Sequence, residues 1–175
     1  MKKVLMLLFL PCFFIAQLVA QESTFSKGDK VLNIGVGIGS LIGSAYASTF
    51  PPITGSLEFG VADNVLKKGA IGVAPFIGFG AYKYQTYSRN ENYTYIPVGV
   101  RGVFHYPLVN KLDTYAGLLF GYIVVSGTHI GSAYGSRGYG SVFIGGRYYF
   151  SEKFAALLEL GAEIVPLHIG VAYKF

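Results

Sequence analysis

Charged side chains are scarce in this sequence, 13% of residues against a usual share of about 25%. Four of them, Glu58, Arg101, Arg147 and Glu159, lie in runs that alternate large apolar residues with smaller ones, always on the side of the small residues. Two carboxylates and two guanidiniums on an enclosed face have to pair, because a buried charge without a partner is strongly disfavoured. The expectation is one interior salt-bridge network, its hydrogen bonds completed by Tyr and Ser hydroxyls.

Other chemistries find less support. Nucleophilic catalysis needs a nucleophile beside a base that a third group orients. The nearest candidates are His129, with Ser126, Thr128 or Ser132, and His168, with Glu163. Neither set forms a recognisable motif, so no catalytic residue is assigned and the chain reads as a non-enzyme. The histidines lie on separate segments and the one cysteine, Cys12, is near the N-terminus, so no metal site is expected. Gly35, Gly37 and Gly39 alternate within a strand-like run with no helix after them to cap a phosphate, and no cofactor is expected.

The elements that position the four charges read as strands. Alternating runs recur over about residues 31–40, 53–62, 69–83, 93–106, 114–125, 136–150, 154–164 and 167–175, and no segment has the period of an amphipathic helix. In the first, Leu32, Ile34, Val36 and Ile38 oppose Asn33, Gly35, Gly37 and Gly39. In the fourth, Ile96, Val98, Val100 and Phe104 oppose Gly99, Arg101 and His105. The fifth is apolar on both faces, and its phase is read with Leu118, Phe120 and Tyr122 outward.

Regular strands separated by turns indicate a barrel or sandwich. Each run is about the 9–11 residues of a tilted membrane-spanning strand, or slightly more. The connections at 63–68, 107–113 and 151–153 are short, whereas those at 41–52, 84–92 and 126–135 are mostly longer. Short turns at one end and longer loops at the other characterise outer-membrane barrels, and an even strand count puts both termini at the short-turn, periplasmic end.

A soluble barrel with a polar exterior is the competing architecture. Its solvated face would be about 25–35% Lys, Arg, Glu and Asp. Here the less apolar face is mostly Gly, Ala, Ser and Thr, which suits a crowded lumen, and the Leu, Ile, Val, Phe and Tyr face is left for lipid. Tyr106, Tyr148, Phe150, Phe154, Tyr173 and Phe175 gather near strand ends on one side, as an interfacial aromatic girdle does. The expected fold is all-β: an eight-stranded antiparallel up-and-down transmembrane β-barrel over residues 21–175.

Residues 1–20 have the layout of a cleaved secretory signal peptide: Lys2 and Lys3, an apolar run, then small residues at Ala16 and Ala20. Pro11 before Cys12 argues against lipoprotein acylation. Cleavage after Ala20 takes Lys and Arg from 14 to 12 against 9 acids and the net charge from +5 to +3, and this mild, unclustered charge gives no support for nucleic-acid binding.

From about residue 30 to 175 the chain resembles the small outer-membrane β-barrel family of the OmpA/OmpX-like kind. The resemblance rests on strand count, loop asymmetry, the Ile96-Pro97-Val98-Gly99-Val100-Arg101 strand and terminal Phe175. It implies outer-membrane localisation among lipid, with Tyr173 and Phe175 as a C-terminal signal read by the barrel-assembly machinery. It also implies a closed lumen like those of OmpA-type barrels, with a gate or ion path as the alternative for the interior charges. A structural or surface-interaction role of a monomer, through segments 41–52, 84–92 and 126–135, is the leading functional expectation. A small porin-like channel is the alternative, and a lipid A-modifying enzyme a more distant one.

Overall fold

The computed structural model describes residues 24–39, 46–86, 89–127, 135–161 and 165–175, with backbone only at 46–49, 84–86 and 89–91. The expected leader, residues 1–20 including Cys12, lies outside the described residues. Eight strands form: β1 (Lys30–Ile38), β2 (Tyr46–Val65), β3 (Gly69–Thr86), β4 (Arg89–Val109), β5 (Leu112–Gly127), β6 (Arg137–Tyr149), β7 (Phe154–Gly161) and β8 (Leu167–Lys174). Each pairs antiparallel with its sequence neighbours, and β1 with β8, from Val31 opposite Lys174 to Ile38 opposite Leu167, closes the ring.

The alternation sets which way each side chain points. Ile34, Val100, Phe120, Ile144 and Val171 stand outward and exposed, while Asn33, Arg101, Leu119, Arg147 and Ala172 are buried in the lumen. The fifth strand takes the phase expected of it: Leu118, Phe120 and Tyr122 face out. Pro97 lacks an N–H to give to a ladder. The β3–β4 pairing skips it, resuming in unchanged register from Ile77 opposite Val98 to Gly80 opposite Tyr95.

The strands differ in length more than the sequence suggests. β2 and β4 run for 20 and 21 residues, β7 and β8 for 8 each. Of the expected 84–92 loop, residues 84–86 and 89–92 are instead paired strand, with Lys83 opposite Asn92 and Thr86 opposite Arg89. Likewise residues 46–52 of the expected 41–52 loop belong to β2, and Ser126 and Gly127 of the 126–135 loop to β5. The reason is that polarity ends the apolar alternation without ending the sheet. The Tyr- and Thr-rich stretches favour extended backbone and satisfy their amides across the hairpin. The short turns shrink too: β4 ends at Val109 and β5 begins at Leu112, so only Asn110 and Lys111 connect them.

One segment ahead of β1 belongs to the barrel. Residues 24–29 fold across the short-turn mouth, where the Gly28 N–H donates to Gly60 O and the Gly60 N–H to Asp29 O, each at 2.9 Å. Lys174 Nζ donates to Thr24 O at 3.1 Å and meets Asp29 Oδ2 at 2.7 Å. Phe25, 1% exposed, thereby reaches into the lumen and packs with Val31, Ala70, Tyr149, Ala155 and Ala172.

The crossing depends on glycine: a Cβ on Gly60 would lie 2.1 Å from Ser26 O. Gly60→Ala should therefore dislodge residues 24–29 at a cost of about 1–3 kcal/mol. Hydrogen exchange checks this, since the Gly28 amide should lose protection in the variant while amides in mid-β5 keep theirs.

Candidate functional site

The inward positions stack in layers along the barrel axis. Beginning at the short-turn end, the apolar floor around Phe25 comes first, then a layer of charge, then a mixed layer, then an aromatic layer. Arg147 holds the charged layer. It is fully buried on β6, and its Nε and Nη2 approach Asp113 Oδ2 of β5 at 2.9 and 2.6 Å. Its Nη1 donates to Glu58 Oε2 of β2 at 3.0 Å and to Asn33 Oδ1 of β1 at 3.2 Å. The Asn33 amide donates in turn to Ser56 Oγ at 3.2 Å. Such a planar fork is what a guanidinium offers and an ammonium does not.

His105 of β4 completes this layer between two carboxylates. Its Nδ1 lies 2.8 Å from Asp113 Oδ1, and its Nε2 hydrogen-bonds Glu58 Oε1. Arg147 Nη2 also lies 3.3 Å from the same Nδ1, so one imidazole joins both carboxylates and the guanidinium in a single cluster. The Phe25 ring covers the imidazole, stacked at 4.0 Å between centroids, and the Arg147 guanidinium carbon is 5.3 Å from the same ring centre.

The next layer belongs to Arg101 of β4. Its Nη2 meets Glu159 Oε2 of β7 at 2.6 Å, and the Tyr115 hydroxyl donates to the same oxygen at 3.0 Å. Its guanidinium carbon also lies 3.8 Å above the Phe143 ring centre, a cation–π contact. Phe76, Val103, Leu119 and Leu157 surround this pair.

The structure thus brings the four sequence-derived residues into the lumen as two pairs, Arg147 with Glu58 and Arg101 with Glu159. Tyr115 stands between them, its hydroxyl on Glu159 and its ring centre 5.2 Å from the Arg147 guanidinium carbon. Its ring is accommodated by Gly145 on β6, where a Cβ would come within 2.6 Å of it. Gly72 does the same for Glu58, whose Oε1 would be 2.3 Å from an added Cβ. The small residues of the inner face are thus the space that the large ones occupy.

Three members of the site are not picked out by the sequence reading. It gives His105 an inward position without a partner, puts Asp113 in a turn, and leaves Phe25 ahead of the first strand, in the polar stretch from Gln21 to Asp29. Extending the fifth strand to the Asn110-Lys111 turn carries the parity of Tyr115 back to Asp113 and would have found it. Phe25 carries a weaker signal, a lone aromatic in a polar segment.

Of the nucleophile candidates, Thr128, His129, Ser132 and Glu163 lie outside the described residues. Ser126 is exposed near the end of β5, and His168 is buried opposite Glu159 across the β7–β8 ladder. No group of three His, Cys, Asp or Glu among the described residues is arranged to hold a metal. Tyr173 and Phe175 sit at the outer rim: Tyr173 packs between Phe154 and Phe175 at 4.9 and 5.0 Å, and the Phe175 N–H donates to Lys30 O at 3.0 Å.

Comparison with known proteins agrees with this architecture. No protein-family model and no curated protein matches the sequence. Among solved structures, the outer membrane protein OprG from Pseudomonas aeruginosa superposes with a TM-score of 0.59 at 11% identity, over 88% of this chain and 99% of that one. A de novo designed transmembrane β-barrel gives 0.54 at 17% identity, over 86% and 98%. Ail, the attachment invasion locus protein of Yersinia pestis, solved with the heparin analogue sucrose octasulfate, gives 0.50 at 15% identity, over 85% and 99%. At these identities the likeness is one of fold, and that fold is the small eight-stranded outer-membrane β-barrel.

The two ion-pair layers should respond unequally to truncation. Arg147→Ala leaves Glu58 and Asp113 facing His105 alone, and should cost about 3–5 kcal/mol. Arg101→Ala leaves Glu159 its Tyr115 hydroxyl and should cost less. Urea unfolding from lipid vesicles measures both, and equal losses would contradict this division.

Proposed function

We propose that the protein is an integral outer-membrane β-barrel whose lumen is held closed and whose role is structural or interactive at the cell surface. The observation that carries this reading is the distribution of charge across the wall. The outward face of all eight strands is apolar through their middle, while Glu58, Arg101, His105, Asp113, Arg147 and Glu159 all turn inward and pair there in two groups, Arg147 with Glu58, Asp113 and His105, and Arg101 with Glu159. A lipid-facing exterior and an internally solvated lumen follow from that division.

The closed lumen is supported from three levels. Phe25 covers the charged layer from the short-turn side. Arg101, Glu159 and Tyr115 fill the middle. Above them, the cavity lined by Tyr82, Tyr95, Tyr139 and His168 has about 20 Å³, and that beside Asn33, Thr54, Glu159 and His168 about 10 Å³. Each has room for about one water, well short of a conducting column. A channel therefore ranks second and a lipid A-modifying enzyme third.

The leader at residues 1–20 would deliver the chain across the inner membrane, and the short-turn end would face the periplasm. Tyr173 and Phe175 would then be offered to the barrel-assembly machinery on the outer face of β8. Surface contacts would be made through segments 41–52, 84–92 and 126–135, whose described parts extend the β2–β5 hairpins. The barrel would act as a monomer.

Planar-bilayer recording tests the closed lumen: the wild type should give no stable large openings, and their appearance would favour the channel. Unchanged lipid A mass spectra on deletion of the gene are expected, and a shift by one acyl chain would overturn the non-enzymatic reading. Removing Phe175 should lower the folded, heat-modifiable fraction in the outer membrane severalfold; wild-type insertion would dismiss the C-terminal signal.

A further inference from the structure

The short-turn end carries a ring of lysines, and every connection there contributes to it. Lys67 and Lys68 lie in the β2–β3 turn, Lys111 in the β4–β5 turn and Lys153 in the β6–β7 turn. Lys30 and Lys174 stand where β1 begins and β8 ends, with Lys27 just before them. The acidic side chains described in the same turns are Asp29, Asp63 and Glu152: Asp29 holds Lys174 at 2.7 Å, and Asp63 accepts from the Lys27 N–H, so the outward charge comes mainly from the other lysines.

Exposed apolar side chains are interleaved with these cations. Leu66 is 74% exposed beside Lys67, Val109 44% close to Lys111, and Phe154 49% beside Lys153. The turns are tight: Asn64, Leu66, Lys67 and Lys111 adopt φ of 56°, 51°, 78° and 64°. These are the left-handed values that tight hairpin turns require.

We infer that this collar binds the anionic phosphate headgroups of phospholipid, of the phosphatidylglycerol type, in the leaflet around the short-turn end. The inference rests on the membrane-spanning reading proposed above. The lysines encircle the barrel instead of clustering on one side, which fits a partner that surrounds it. A wall polymer or a periplasmic protein would approach the mouth from one direction. The exposed Leu, Val and Phe side chains continue the apolar belt to the level of the headgroups. Lysine stems can lie along that belt while their ammonium groups reach the phosphates. The attraction adds up lysine by lysine and is screened by salt.

The test uses the full barrel reconstituted in phosphatidylcholine vesicles doped with spin-labelled phosphatidylglycerol or spin-labelled phosphatidylcholine. The fraction of each probe immobilised at the protein surface gives the lipid preference. The wild type should favour phosphatidylglycerol by about two- to five-fold at low ionic strength and lose that preference at high salt. Joint substitution of Lys30, Lys67, Lys111 and Lys153 by Gln should bring it close to parity. Arg at the same four positions should keep it, as should Lys83→Gln with Arg137→Gln at the opposite end.

Equal binding of the two probes by the wild type would overturn the inference. So would a preference that survives high salt or the Gln substitutions, or one that disappears with Lys83 and Arg137. Retention on a soluble anionic wall glycan without lipid preference would overturn it in favour of a polymer. Heat-modifiable gel mobility of the same samples separates the two levels. Failure to insert refutes the membrane reading itself, whereas insertion without preference refutes the collar alone.

Discussion

An eight-stranded ring encloses a space that side chains fill, with no bulk water to solvate an ion. Any charge on the inner face must then be solvated by other side chains, and Arg147 shows how far that requirement reaches. Its guanidinium draws Asp113 from β5, Glu58 from β2 and Asn33 from β1 onto one group on β6. Two of these strands are not neighbours of β6 in the ring. The cluster therefore fixes the relative register of strands that share no backbone hydrogen bond. A slip of one residue would turn each of these side chains to the other face, placing an ion against lipid.

The lumen is graded along its axis, and the grading follows from what each level has to exclude. The short-turn mouth is crossed by residues that precede the barrel in sequence, with Phe25 laid on His105 and Lys174 clamping Thr24 and Asp29. The middle is held by an ion pair whose cation also lies on an aromatic face, Arg101 over Phe143. The far end is filled by Tyr82, Tyr93 and Tyr95 with Ile123 and Val125, where a hydroxyl-bearing ring suits the change from charged interior to aqueous surface.

The outside is graded as well. The longest strands, β2 to β4, run well past the 9–11 residues that a bilayer requires. One side of the barrel therefore stands higher than the other, where β7, β8 and β1 are short. At the opposite end the turns are tight and basic. The two ends thus offer different surfaces, a tall paired wall and a low cationic rim. A paired wall loses less conformational freedom on meeting a partner than a free loop would.

Local alternation was enough to determine the strand count, the face each residue takes and the inward placement of Glu58, Arg101, Arg147 and Glu159, because a strand's two faces are a matter of parity alone. Parity says nothing about which inward residues meet across the barrel. That Arg147 reaches Glu58 and Arg101 reaches Glu159 depends on register and closure, which no single strand contains. Strand ends were equally beyond it, since above the lipid both faces turn polar and the signal fades while the pairing of Lys83 with Asn92 goes on. The seating of Phe25 inside the mouth is the furthest from sequence. It depends on a glycine in β2, a lysine in β8 and a histidine in β4 arriving at one place, which only the assembled ring accomplishes.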